Sequence, residues 1–243
     1  MRTSLTVTLA LVGLGAPASG QIQYISQARS INAGAGAWTA TGEITELTRS
    51  TAALGVWDEQ IDLRYDVTGY YSGGIGPGEP PVFNRGFASQ TSALTADAMR
   101  FSGIVGGRDR LVGGVPPAGM GYGATRWDVS FTIASSEAFW ARLIGSYPNF
   151  VSVAFNVRLR NLTTGTDVFY RPITGPSLYD LTYSGTLAPG AYRFTGYIQD
   201  GTLAPNAGET YIPYSIQFVV PSPAVCIPLV AMSIIVTRRR RGS

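Results

Sequence analysis

Carboxylates are the only groups with catalytic potential that this sequence carries in number. There are 15 Asp and Glu, no histidine, and all 18 cations are arginines. The lack of histidine removes Ser-His-Asp and Cys-His catalysis and the common imidazole metal sites. The lack of lysine removes Schiff-base chemistry and a Walker-type phosphate lysine. The acids form two local clusters, Glu43 with Glu46 and Asp58 with Glu59 and Asp62. Hydrolysis of a glycosidic bond needs two carboxyl groups roughly 5 to 9.5 Å apart. No Glu-x-Asp-x-x-Glu strand motif is present, and Asp62 and Asp66 share the polar side of an alternating segment with Arg64. A solvated strand face accounts for them, so no catalytic residue is assigned and a non-enzymatic protein is expected.

Calcium takes oxygen ligands from closely spaced acids. Asp58 and Glu59 alone are too few, and no Asp-x-Asp-x-Asp run exists, so neither metal nor cofactor is expected. Stacking on sugar rings is the third chemistry available to the 13 Tyr and 4 Trp. Tyr70, Tyr71, Tyr211 and Tyr214 are the candidates for exposure, although strand aromatics also fill cores and bridge cross-strand pairs. Asn161-Leu162-Thr163 matches an N-glycosylation sequon and reads as a polar triplet beside a turn.

The elements that must position these groups are strands. Ile61, Leu63, Tyr65 and Val67 alternate with Asp62, Arg64, Asp66 and Thr68. The same period of two runs through Trp127 to Ile133, Val151 to Leu159, Tyr192 to Ile198 and Ile212 to Phe218, as in antiparallel sheets with one buried face. Ala188-Pro189-Gly190-Ala191 fits a type II hairpin turn, and Thr164-Gly165-Thr166 separates two strand-like runs. Pro213 predicts an edge strand for the last run, because proline cannot donate to a ladder. Ser136 to Leu143 is compatible with a capped helix or a strand, and strand is favoured. Ser72 to Pro81 and Gly103 to Gly123 read as long glycine-rich surface loops. One domain of about 200 residues, 21–220, follows.

The two ends carry targeting signals. Arg2, the apolar stretch Leu5 to Leu14 and small residues up to Gly20 fit a secretory signal peptide over 1–20, cut between Gly20 and Gln21. The expected partners are the secretion translocon and signal peptidase. At the other end, residues 221–243 hold a proline hinge, an apolar helix over 224–237 and the cluster Arg238, Arg239, Arg240 and Arg241. Fourteen residues make a helix of about 21 Å, short of the ~20 residues a bilayer span needs. Pro228 interrupts it further. Arginines after an apolar run stay cytoplasmic, so the body is placed outside, with the tail as a transient or stable inner-membrane anchor. Setting aside Arg2 and the four terminal arginines leaves 13 Arg against 15 acids, a body of about −2. The basic pI comes from the ends, no basic patch is visible, and no nucleic-acid partner is expected. Cys226, the only cysteine, lies within the apolar tail and reads as a small helix residue.

Val220-Pro221-Ser222-Pro223, the apolar stretch and the arginine-rich end together resemble the PEP-CTERM sorting signal of exported bacterial proteins. Ser222 stands where that family usually has Glu. The segment Tyr179 to Tyr192 is similar to a hairpin common in the β-sandwich domains that accompany such signals. The resemblance implies processing by an exosortase-like enzyme and release to the cell surface or extracellular matrix. It also implies an antiparallel, jelly-roll-like β-sandwich. The expected role is structural or adhesive, with binding to extracellular polysaccharide as the alternative and glycoside hydrolysis third.

Overall fold

The computed structural model describes residues 21–37, 44–66, 83–109, 119–146, 152–173, 178–201 and 208–221. The signal segment, residues 222–243, Glu43, Tyr70, Tyr71 and the loop Ser72 to Pro81 lie outside the described residues. Twelve strands are described: β1 Gln23–Ala37, β2 Ile44–Thr51, β3 Val56–Asp66, β4 Phe83–Leu94, β5 Ala98–Asp109, β6 Gly119–Ile133, β7 Glu137–Ser146, β8 Ser152–Asn161, β9 Asp167–Ile173, β10 Leu178–Leu187, β11 Gly190–Gly201 and β12 Gly208–Val219. They form two six-stranded antiparallel sheets, β2-β1-β6-β11-β8-β9 and β10-β7-β12-β5-β4-β3, packed face to face. The expected all-β antiparallel sandwich is therefore the observed architecture. Within it, β5-β12-β7-β10 faces β6-β11-β8-β9, the strand order of an eight-stranded jelly roll. Strands β1 and β2 widen one sheet beyond β6, and β3 and β4 widen the other beyond β5.

The alternation places side chains as expected. Trp127, Val129, Phe131 and Ile133 of β6 are buried, as are Phe155, Val157 and Leu159 of β8 and Ile212, Tyr214, Ile216 and Phe218 of β12. The ambiguous stretch from Ser136 to Leu143 is strand from Glu137 onward, part of β7. Aromatic rings fill the middle of the sandwich: Phe101 stacks on Trp127 at 4.7 Å, and Phe131 stacks on Tyr192 at 5.6 Å. Arg29 is fully buried without a carboxylate. Its guanidinium donates to the Gly55 carbonyl at 3.0 Å and to Ser92 Oγ at 2.8 Å, and also to the Ala53 carbonyl and Gln27 Oε1. Burial pulls its pKa down. This arginine ties β1 to the β2–β3 corner and to β4. At the sandwich edge beside it, Arg49 of β2 bridges to Glu59 of β3.

Three local expectations are corrected. Pro213 is not on an edge strand, because β12 runs between β7 and β5. It is tolerated because pairing with β7 begins only at Tyr214, one residue later. Ala188 to Ala191 is not a hairpin turn. It is a corner that carries the chain from one sheet to the other, with Gly190 at φ +154°. Tyr192 braces the corner by donating its hydroxyl to the Ala188 carbonyl at 2.7 Å. The hydroxyl in turn accepts from Asn161 Nδ2. Asn161 is thus an internal turn brace, and its Oδ1 accepts from the backbone N–H of Thr163 and Thr164.

The third correction concerns Gly103 to Gly123. Residues 103–109 are part of β5 and 119–123 part of β6, leaving only 110–118 outside the described residues. Glycine occupies inward positions there because the sheets meet almost backbone to backbone. A Cβ on Gly123 would lie 1.7 Å from the Phe87 carbonyl oxygen, one on Gly107 2.1 Å from that of Gly121, and one on Gly86 2.2 Å from that of Gly34. Sandwich sheets ordinarily stand about 10 Å apart, with side chains between them. At these glycine positions there is no room for one. Gly123→Ala is expected to destabilise the protein by about 3 kcal/mol or more through overpacking. Gly145→Ala, whose Cβ would meet nothing closer than 3.6 Å, serves as the comparison and should change little. Thermal unfolding of both variants checks the order.

Candidate functional site

Residues that face outward on β6, β11, β8 and β9 form a grid set by the ladder registers. Arg126 lies opposite Tyr197 and Tyr197 opposite Asn156. The next outward row runs Asp128, Thr195, Arg158 and Tyr170, and the one after it Ser130, Arg193, Arg160 and Asp167. Ala28, Ser30 and Thr195 are short side chains between these longer ones. The result is an open groove of about 550 Å³ bounded by Arg126, Asp128, Asn156, Arg158, Tyr170, Arg193 and Tyr197. It continues past Tyr197 and Arg126 toward Asn32, Gln199, Tyr122 and Glu46. At the other end it passes Arg193 and Arg158 to reach Arg160 and Leu162.

Arginine decides the electrostatics of this face. Arg193 grips Asp128 through both Nε and Nη2, and Arg158 Nε and Nη2 donate to Asp167 at 2.7 and 3.0 Å. Both pairs are diagonal across neighbouring strands. Arg158 also sits 5.6 Å over the Tyr170 ring, and Arg126 5.7 Å over the Tyr197 ring. Glu46 accepts from the Tyr122 hydroxyl. Among the described residues, Arg126 and Arg160 form no ion pair.

The acids singled out from the sequence do not converge. Asp62 takes a two-point grip from Arg85 at 2.7 Å, Asp58 accepts from Thr91 Oγ1 at 2.7 Å, and Glu59 is held by Arg49. Asp58 and Asp62 lie on the outer side of the β3-containing sheet, whereas Glu46 belongs to the opposite sheet. No cluster of three or more potential metal-ligating side chains occurs among the described residues. Of the aromatic candidates, Tyr211 is exposed. Tyr214 is buried, stacks on Trp127, and donates to the Ser89 carbonyl at 3.2 Å, so its expected exposure is corrected. It points inward because it shares the parity of Ile212 and Ile216.

Tyr122, Tyr170, Tyr197 and the four arginines of the groove were not singled out from the sequence. For Tyr197 the signal was present: Tyr192, Phe194 and Ile198 define the inward stripe, which turns Tyr197 outward. Tyr122 was hidden by the glycines around it.

Of the terminal residues, Gln21 is exposed, while Val220 is buried and donates its N–H to the Asp97 carbonyl at 2.8 Å. Pro221 is exposed and is the last described residue. Ile22 donates its N–H to the neighbouring Ala96 carbonyl at 2.6 Å, so both ends of the domain leave beside the β4–β5 turn. Gly20, Ser222, Pro223 and Arg238 to Arg241 lie outside the described residues. Among the described residues, no helix is long and apolar enough to cross a membrane.

No protein-family model matches the chain. No curated protein matches it in sequence. Among solved structures it is similar to the enzymatically active domain of bacteriophage CBA120 tailspike protein 4, at 11% identity and TM-score 0.26, over 49% of this chain and 18% of that one. It is also similar to the infectious bursal disease virus VP2 subviral particle, at 7% identity and TM-score 0.28, over 84% of this chain and 58% of that one. A third is a GH31 α-xylosidase from Xanthomonas citri, at 9% identity and TM-score 0.24, over 82% and 18%. The chain thus spans 18% to 58% of the length of these structures. Similarity this low carries no assignment of activity.

The ion pairs and buried phenols set the pH dependence. Arg85, Arg158 and Arg142 hold the carboxyls of Asp62, Asp167 and Asp180 below the usual range. Their stabilisation is present above the ordinary carboxylate pKa of about 4 and is lost as pH falls through the depressed values. Burial raises Tyr24, Tyr122 and Tyr214 well above the ordinary phenol value. Above about pH 10 the unfolded chain therefore loses phenolic protons that the folded one retains, and stability falls. The melting temperature is expected to be nearly level from about pH 5 to 9, dropping on either side. A steady slope through neutrality would contradict this.

Proposed function

We propose that this chain is an exported bacterial surface or extracellular-matrix protein whose sandwich acts by binding, with an adhesive or structural role. The observation that carries the binding reading is the open tyrosine- and arginine-lined groove on the outer face of β6, β11, β8 and β9. Stacking faces and planar donors on a rigid sheet suit a polyhydroxylated chain, since aromatic rings pack on sugar faces and guanidinium groups donate to ring substituents. Hydrolysis is disfavoured by the same surface: Asp128 is gripped by Arg193, and among the described residues no second carboxylate lines this part of the groove.

Export and sorting rest on the two termini. Val220 is a core residue, so the motif Val220-Pro221-Ser222-Pro223 begins where the packed domain ends, within reach of an exosortase-like enzyme. Because both ends of the domain leave beside the β4–β5 turn, a tail held in the inner membrane would set that end of the sandwich toward the bilayer. The groove then lies along the side of the molecule, accessible to polymer.

Intact-mass measurement of the protein recovered from the cell surface tests the sorting. Loss of the residues after the motif is expected, and a mature chain still ending in Arg241-Gly242-Ser243 would refute processing. A glycan array probed with the full chain in non-ionic detergent tests the binding role. Absence of any signal above background would remove polysaccharide binding and leave only the structural role.

A further inference from the structure

We infer that the groove on the outer face of β6, β11, β8 and β9 selects acidic polysaccharides, with carboxylated sugars as the ligand class, over neutral ones. The inference rests on the binding role proposed above and specifies its ligand. Its basis is charge placed against the trend of the whole molecule. The body between the targeting segments carries about two more acids than arginines, yet Arg126, Arg158, Arg160 and Arg193 line this groove. Their acidic neighbours are Asp128, Asp167 and Glu46. The first two are gripped by Arg193 and Arg158, and the third is held by the Tyr122 hydroxyl at the far end.

Arg126 therefore has no carboxylate partner among the described residues, and Arg160 lies opposite Asp167, whose carboxylate Arg158 already holds. Arg126 is exposed and lies over the Tyr197 ring, and Arg160 flanks the end of the groove beside Leu162 and Gly165. A planar guanidinium presents paired N–H donors that match a carboxylate in two-point geometry, which a hydroxyl cannot reciprocate. The register fixes their separation. Arg126 and the Arg193–Arg160 row are four residues apart along the strands, about 13 Å at ~3.3 Å per residue, and Arg160 lies two strands across from Arg126, about 10 Å at ~4.8 Å per strand. That distance spans several sugar units, so the groove recognises a chain and not a single sugar. The short side chains of Ala28, Ser30 and Thr195 leave space for the chain to lie, while Tyr197 and Tyr170 line it and hold Arg126 and Arg158 over their rings.

The test measures binding of the full chain in non-ionic detergent to polygalacturonate, dextran and single-stranded DNA of matched length at about 0.15 M salt, where screening acts over ~8 Å. Polygalacturonate is expected to bind at least about tenfold more tightly than dextran. The double variant Arg126→Gln with Arg160→Gln should weaken it about tenfold, as for two charge contacts at the surface. Arg100→Gln, an exposed arginine on the other sheet, alters net charge equally per residue and should leave affinity unchanged. Tyr197→Ala should weaken binding further, and melting temperatures of all variants confirm that they remain folded. Equal binding of dextran and polygalacturonate, untouched by the arginine variants, would overturn acid selection while leaving the binding role standing. Absence of binding to either polymer would overturn both. Tighter binding of DNA than of polygalacturonate would overturn the carboxylated-sugar assignment in favour of a phosphate-bearing chain. Equal losses in Arg100→Gln and Arg126→Gln would show attraction by net charge alone and overturn the groove as the site.

Discussion

The close approach of the two sheets at one corner is the constraint on which the rest of the architecture depends. Where β1 and β6 pass over β4 and β5, glycine stands at inward positions, and carbonyl oxygens occupy the space side chains would fill. Of the four strands that widen the sandwich, β1 and β4 pack through this corner, against β5 and β6. Even one methyl group at Gly123 or Gly107 would force the sheets apart. Away from it, the sandwich opens enough to hold Trp127, Phe101, Phe194 and Tyr214 between the layers. The core is thus tapered, with backbone at one corner and large aromatic rings beyond. Because β6 is rigidly seated on both neighbours and on the opposite sheet, its outward residues Tyr122, Arg126 and Asp128 are held in a fixed grid.

A chain whose only cations are arginines uses them in two ways. Inside, Arg29 replaces a missing ladder at the β2–β3 corner by donating to carbonyls, a role that a planar group with five donors fills without a counter-ion. Outside, arginines reach diagonally across neighbouring strands to aspartates, as in Arg85–Asp62, Arg142–Asp180, Arg158–Asp167 and Arg193–Asp128. Exposed pairs of this kind contribute little each, about 0–1 kcal/mol. Their effect on the surface is larger, since they consume carboxylates that could otherwise serve as acid or base. What the pairing leaves over on the β6-containing face is Arg126, tyrosine and, at one end, Glu46 on the Tyr122 hydroxyl.

Much of this was legible in the sequence. Strict alternation in 127–133, 155–159 and 212–218 fixed both the strands and their buried sides, because a half-buried strand admits only one register of apolar residues. Gly165, at φ +73°, marked the β8–β9 turn. The glycine-rich stretch from Gly103 to Gly123 misled, since glycine signals a loop and an inter-sheet close approach with the same letter. Only the opposing strand distinguishes the two. Pro213 misled in a similar way: it needs an absent ladder partner, which can be an edge or the end of a shorter neighbour such as β7. The groove was half legible. Period two turns Arg126, Arg158, Arg193 and Tyr197 outward, but nothing in the linear order says that β6, β11 and β8 lie side by side.

By itself, then, the sequence determined that the chain forms strands, which sides of them are apolar, that neither histidine nor lysine chemistry is available, and that the ends carry export-like segments. These are properties of composition and local period, fixed by the dihedral geometry of each strand. Tertiary structure alone decided the sheet order, the glycine corner and the meeting of arginines and tyrosines from four strands on one face. Such features depend on which distant strands pair, and that choice is made by packing the whole core at once.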